Sequence, residues 1–169
     1  VIAAGSLAGC STAEKHHDDA AKTVTISDQW VKAADSGMTA VFGTLKNSGH
    51  HEARLVSATS PVAGKVELHE VVMDPGGSST MRPKTGGFVI PADGSHALIP
   101  GGDHIMLMDL KQSLAVGSDV SITVEFEDGS SLPFTAQVRD FPGADEKYQP
   151  GAPAAGGHCH HRRGASVVP

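Results

Sequence analysis

Two short runs and a methionine between them hold the residue types that could do chemistry. In Lys65-Val66-Glu67-Leu68-His69, strand alternation sends Val66 and Leu68 toward a core and turns Glu67 and His69 the opposite way. In His104-Ile105-Met106-Leu107-Met108, Ile105 and Leu107 take the core phase, which leaves His104, Met106 and Met108 on the other face. The expectation is two thioethers and an imidazole lined up beside solvent. A thioether gains nothing from water, so methionine on a wet face asks for a reason. Soft-metal binding is one: thioether sulfur and imidazole nitrogen suit Cu(I), whereas calcium, magnesium and manganese take carboxylates or carbonyls.

Between the runs lies a Gly- and Ser-rich stretch, residues 73–87, with Met81 near its middle. It reads as a long loop of the kind that function usually explains. Met73 follows His69 by four residues, on the same strand face by parity, and joins Met108 as an auxiliary thioether. His158-Cys159-His160-His161 forms a second, flexible metal-catching segment, whose imidazoles also suit Cu(II). His16-His17-Asp18-Asp19 is a weaker cluster of the same kind, and His50-His51 reads as surface.

The elements that must position these side chains are strands. Runs rich in Val, Ile, Leu and Thr, cut by Gly, Pro, Asn and Asp, predict strands near 24–26, 29–32, 38–46, 53–59, 65–72, 87–90, 95–99, 104–110, 120–126 and 132–138. The clearest is Val120-Ser-Ile-Thr-Val-Glu-Phe126, where Val120, Ile122, Val124 and Phe126 share one face. An Asp128-Gly129 turn joins it to 132–138 as a hairpin. No internal repeat and no long helix is evident.

The ends read differently. Residues 1–10 look like the end of an export signal, and Leu7-Ala8-Gly9-Cys10 resembles the bacterial lipobox, in which the cysteine carries the lipid anchor. Residues 11–22 form a polar tether, 23–141 the metal-binding domain, and 142–169 a flexible Gly-, Ala- and Pro-rich tail. The expected location is therefore the extracytoplasmic side of a bacterial membrane, held there by acyl chains.

Thirteen Lys and Arg against nineteen Asp and Glu give a net charge of -6, the wrong sign for a nucleic-acid partner. No nucleophile with its base and no paired carboxylates stand out, so an enzyme is not expected. The domain has no cysteine, which disfavours a blue-copper electron carrier.

His69, Met81 and the His104-x-Met106 pair resemble the ligand motif of the periplasmic PCuAC copper chaperone family. Trp30-Val31-Lys32, Glu67-Leu68-His69-Glu70, Met81-Arg82-Pro83, Ile90-Pro91 and Pro100-Gly101-Gly102-Asp103-His104-Ile105-Met106-Leu107-Met108 look like that family too, so the likeness covers residues 24–138. The gap from His69 to Met81, and that from Met81 to His104, are each one residue longer than the family pattern. The Pro75-Gly76-Gly77 and Gly86-Gly87 turns are where such insertions would cost little. The resemblance implies an all-β, cupredoxin-like Greek-key sandwich with flexible tails, holding Cu(I) through His69, Met81, His104 and Met106. It also implies delivery toward cytochrome c oxidase assembly, with the oxidase's copper subunit or another copper chaperone as partner. The same ligands would serve a copper-sequestering lipoprotein with no dedicated acceptor.

Overall fold

Aliphatic residues at every second position, interrupted by turn formers, leave this chain little choice but short strands. The computed structural model, which describes residues 18–151, is built almost wholly of them. In chain order they are β1 (Val24–Lys32), β2 (Thr39–Asn47), β3 (Ala53–Thr59), β4 (Ala63–Met73), β5 (Ser79–Pro83) and β6 (Phe88–Ile90). Then come β7 (Ser95–Leu98), β8 (His104–Leu110), β9 (Asp119–Phe126), β10 (Ser131–Arg139) and β11 (Lys147–Tyr148). One four-residue helix, α1 (Ala20–Thr23), precedes them.

The strands hydrogen-bond in the order β11-β5-β4-β8-β2-β1-β10-β9-β3-β6, with β7 laid against β2. The β1–β10 and β5–β11 pairs are parallel and the other pairs antiparallel. The path folds over on itself, so Leu45, Ile105 and Leu107 from one half meet Leu55, Phe88, Ile122 and Phe126 from the other in one apolar core. Ile105 and Leu107, and all four residues of the Val120–Phe126 stripe, face this core as their alternation predicts.

A second, smaller cluster lies on the opposite face of β2 and β8. Ala40, Phe42, Met81 and Met106 form it, with Trp30, Val71 and Tyr148 packed against them. Both faces of these two strands are therefore buried, which removes the wet side that simple alternation implies.

Most expected strands appear within two residues of their sequence bounds. The stretches 24–26 and 29–32 merge into β1, with a bulge between Ser27 and Trp30 and Asp28 at φ 53°. The segment 73–87 is not an open loop: Ser79–Pro83 returns along β4 after a turn closed by Asp74 N–H donating to the Ser78 carbonyl at 2.8 Å. Ser and Thr around Met81 mask that strand in the sequence, and its pairing with β4 creates it. Within the residues read as a tether, α1 is fastened by Ala20 N–H to Asp128 Oδ2 at 2.7 Å. In the residues read as tail, Lys147–Tyr148 pairs with β5. Cys10, His16, His17, His158, Cys159, His160 and His161 lie outside the described residues.

The two glycine turns differ in their room for change. Gly76 and Gly77 border open space, but Gly87, at φ +71°, is pressed so tightly that a Cβ would sit 2.1 Å from the Leu55 carbonyl oxygen. Gly87→Ala should lower stability by more than the roughly 1–3 kcal/mol of local backbone strain, read as a fall in the urea midpoint at unchanged slope. Gly77→Ala, also at positive φ, should cost only about 1–2 kcal/mol. Equal midpoints in the two variants would show that Gly87 is not tightly packed.

Candidate metal centre

Strand register assembles the centre. Antiparallel β4 and β8 set His69 directly opposite His104 and Glu67 opposite Met106. Ala40 of β2 lies across from Met106 on its other side, and Met81 of β5 lies across from Val71 of β4. Directly paired residues share a sheet face, and diagonal neighbours about 7–8 Å apart are within reach of long side chains. His69, His104, Met81 and Met106 thus occupy one face of three adjacent strands. The two imidazole centroids are 5.5 Å apart, and the Phe42 ring stands 6.0 Å from His104.

This face is the one alternation selects, but it is not beside solvent. His69 is 0% exposed, His104 and Met106 3%, and Met81 6%, which corrects the expectation of a wet face. The cover comes from the end of the described chain. After β10, Phe141 meets Trp30 edge-on at 5.2 Å, Ala144 packs on the methionine cluster, and Tyr148 lies flat on His69, 5.3 Å away and 6° from parallel. Gln149 N–H donates to the Met81 carbonyl at 2.8 Å, and Lys32 bonds Asp145 at 2.6 Å and the Gly143 carbonyl, tying the strap to the sheet. In the sequence Trp30 stands out only for its likeness to the family, and Tyr148 and Phe42 have no part in the expected site; the one clue to the packing of residues 142–151 was an aromatic amid Gly and Pro.

Hydrogen bonding fixes the two rings in opposite senses. His104 Nδ1 donates to the Gly102 carbonyl at 2.9 Å, leaving Nε2 free. His69 Nε2 faces Glu67 Oε2 at 2.7 Å, leaving Nδ1 free. Those free atoms, His69 Nδ1 and His104 Nε2, are the two buried side-chain nitrogens or oxygens without a hydrogen-bond partner among the described residues. Each unpartnered buried group costs about 1–3 kcal/mol, so a pair of them in one place calls for a ligand. Burial pushes the His104 pKa below its ordinary value, against the pull of the Gly102 carbonyl, and keeps the ring neutral with its lone pair available. Burial also opposes the charge on Glu67, but hydrogen bonds from His69 and Lys65 outweigh it and hold the carboxyl below its usual range.

Met81 and Met106 both line an open cavity of about 510 Å³, with Lys32, Asp145, Glu146 and the 39%-exposed Met38 around it. Both methionines are largely shielded from water yet border a cavity that opens to the surface. Among the described residues, no three His, Cys, Asp or Glu side chains are placed to hold a metal ion. The donor types gathered on this face are two imidazoles and two thioethers, a set matched to a soft monovalent cation.

The auxiliary candidates separate. Met108 is half-buried at the edge of the methionine cluster. Met73 lies at the far end of β4, 70% exposed, with Ser79 Oγ 3.2 Å from its sulfur, and the structure does not bring it to the centre. His50 is exposed beside Asp93, and His51 is exposed at the same distant turn.

Comparison with known proteins bears on the fold and the family. Residues 24–138 match the family model described as "Putative lipoprotein LpqE-like". A protein of Leifsonia xyli subsp. xyli, itself described as a "Putative lipoprotein", is 49% identical over 126 residues, 75% of each chain. The solution structure of apo-DR1885 from Deinococcus radiodurans aligns at a TM-score of 0.51 and 30% identity, covering 83% of this chain and 96% of that one. Its Cu(I) form aligns at 0.53, again at 30% identity, over 73% and 84%. The copper-bound PCuAC domain from PmoF2 gives a TM-score of 0.58 at 20% identity, over 70% and 93%. The fold is therefore the cupredoxin-like sandwich of PCuAC domains.

Tyr148→Ala should uncover His69. Diethyl pyrocarbonate labelling followed by mass spectrometry should show faster modification of His69 than in the parent, with a stability loss of about 1 kcal/mol from the missing ring stack. An unchanged labelling rate would mean that the strap does not shield the centre.

Proposed function

The chain belongs to the LpqE-like family, of PCuAC type, and from that premise we propose that it is an extracytoplasmic Cu(I) carrier with no catalytic step of its own. The ion is the cargo, bound by His69 Nδ1, His104 Nε2 and the sulfurs of Met81 and Met106. The observation that carries this reading is the pair of buried imidazole nitrogens left without partners on the face shared with both thioethers. A neutral donor set lacking thiolate holds Cu(I) without the near-irreversible grip of sulfur anions, as a carrier requires. The bound ion would be kept from water by the strap and handed on, ligand by ligand, once the strap lifts.

The destination follows from the family resemblance: cytochrome c oxidase assembly, through the oxidase's copper subunit or another copper chaperone. The lipoprotein descriptions of the family and of the Leifsonia relative support export and anchoring through Cys10 after Leu7-Ala8-Gly9. His158, Cys159, His160 and His161 would add a second capture segment, able to take Cu(II), in the tail. A second reading, copper sequestration without a dedicated acceptor, is favoured by one feature, the burial of all four donors.

Competition with a chromophoric Cu(I) chelator tests the site, using the full chain with Cys10→Ser and Cys159→Ser so that no thiolate contributes. His104→Ala, and Met106→Leu, which keeps apolar bulk but removes the sulfur, should each weaken binding by about tenfold or more, ~1.4 kcal/mol. Affinities equal to the parent would exclude this donor set. In cells, loss of oxidase activity at low copper on deleting the gene should accompany delivery, whereas copper sensitivity with normal oxidase would favour sequestration.

A further inference from the structure

Glu67 contributes no donor to the proposed set, yet the hydrogen bonding of the centre runs through it. Its Oε2 accepts from His69 Nε2 at 2.7 Å and from the Tyr148 hydroxyl at 3.2 Å, while Oε1 contacts Lys65 Nζ. The two-residue spacing on β4 places Glu67 on the same face as His69, and the register sets it opposite Met106, so it forms the floor beside two proposed ligands. It is largely buried, its side chain 14% exposed.

An ionised carboxylate can only accept hydrogen bonds, so a proton must sit on His69 Nε2, and in the neutral ring Nδ1 then carries the lone pair. Nδ1 is the atom found buried and without a partner. Turning the ring over would keep its plane but break the bond to Glu67. His104 shows the opposite arrangement, with Nδ1 engaged by the Gly102 carbonyl and Nε2 left open. The two histidines therefore offer different nitrogens, and in His69 a charged side chain enforces the choice.

Building on the copper reading, we propose that Glu67 is a positioning residue, which holds His69 so that Nδ1 faces the cargo ion. A carboxylate on the far nitrogen also makes the ring a stronger donor, the role outer partners of metal-binding histidines commonly fill. It places one negative charge beside an otherwise neutral donor set, where a monovalent cation would be balanced. Because Tyr148 bonds the same oxygen, Glu67 also links the strap to the orientation of the ligand.

Two measurements on the full chain test this. Imidazole 15N–1H correlation spectra of the apo protein should place the His69 proton on Nε2, slowly exchanging and downfield. That resonance should survive in Glu67→Gln, whose amide oxygen can accept, and vanish into solvent exchange in Glu67→Leu. On adding Cu(I), the His69 Nδ1 resonance should move more than Nε2. Chelator competition should give Glu67→Gln an affinity between those of the parent and Glu67→Leu, and Glu67→Leu a loss of about 10- to 100-fold. A parent proton on Nδ1, a larger shift at Nε2, or parental affinity in Glu67→Leu would overturn the proposal while leaving the copper reading intact. A parent that binds no Cu(I) would remove the copper reading, and the apo spectra would still decide whether Glu67 orients the ring. Should Glu67→Leu fail to fold, the parent and Glu67→Gln spectra decide alone.

Discussion

The register between β4 and β8 is the constraint on which the centre depends. Pairing His69 with His104 and Glu67 with Met106 puts two imidazoles, a thioether and a carboxylate on one face of two adjacent strands. Strand side chains alternate with a period of two, so a slip of one residue in β4 would send His69 and Glu67 into the aliphatic core. It would also expel Leu68, which packs in that core. The aliphatic half of the alternation thus pins the chemical half: burying Leu68, Ile105 and Leu107 on one side fixes where the polar donors must stand.

What makes the arrangement unusual is that its second face is also dry. Phe42, Trp30 and the strap residues Phe141, Ala144 and Tyr148 cover it, while two imidazole nitrogens beneath them keep no hydrogen-bond partner. Such burial is unfavourable unless the rest of the fold over-determines it, and here two clusters on opposite faces of β2 and β8 do so. Binding of a soft cation would turn that local cost into affinity. The cover is attached by a two-residue strand, one lysine, the Tyr148 hydroxyl and two ring contacts, far fewer interactions than hold the sandwich, so the strap is the part of the site that can yield without unfolding the rest.

Electrostatics and packing act in the same direction. Low exposure keeps His104 neutral, Glu67 stays charged through its hydrogen bonds in spite of burial, and Asp145 and Glu146 stand at the cavity mouth. Carboxylates thus lie on both sides of the donors, Glu67 paired with Lys65 and Asp145 with Lys32, and Glu146 adds a further negative charge to the cavity. That excess of carboxylate favours a small cation over an anion and suits a protein whose net charge is negative.

Much of the fold and the site was legible in the sequence because both rest on a local rule. Alternation in Val120–Phe126 and in His104–Met108 assigned core and non-core faces correctly, and the aspartate-glycine turn gave the β9–β10 hairpin. Side-chain chemistry marked His104, Met106 and Met108 as soft donors, and the family resemblance, not chemistry alone, joined His69 and Met81 to His104 and Met106 as a candidate set. Alternation, however, states which side of a strand a residue takes, not what lies above that side. The burial of the donor face, the strand formed around Met81, and the contact of Tyr148 with Glu67 across 81 positions were settled by tertiary packing. Each depends on a partner distant in the chain, and no local pattern encodes such a partner.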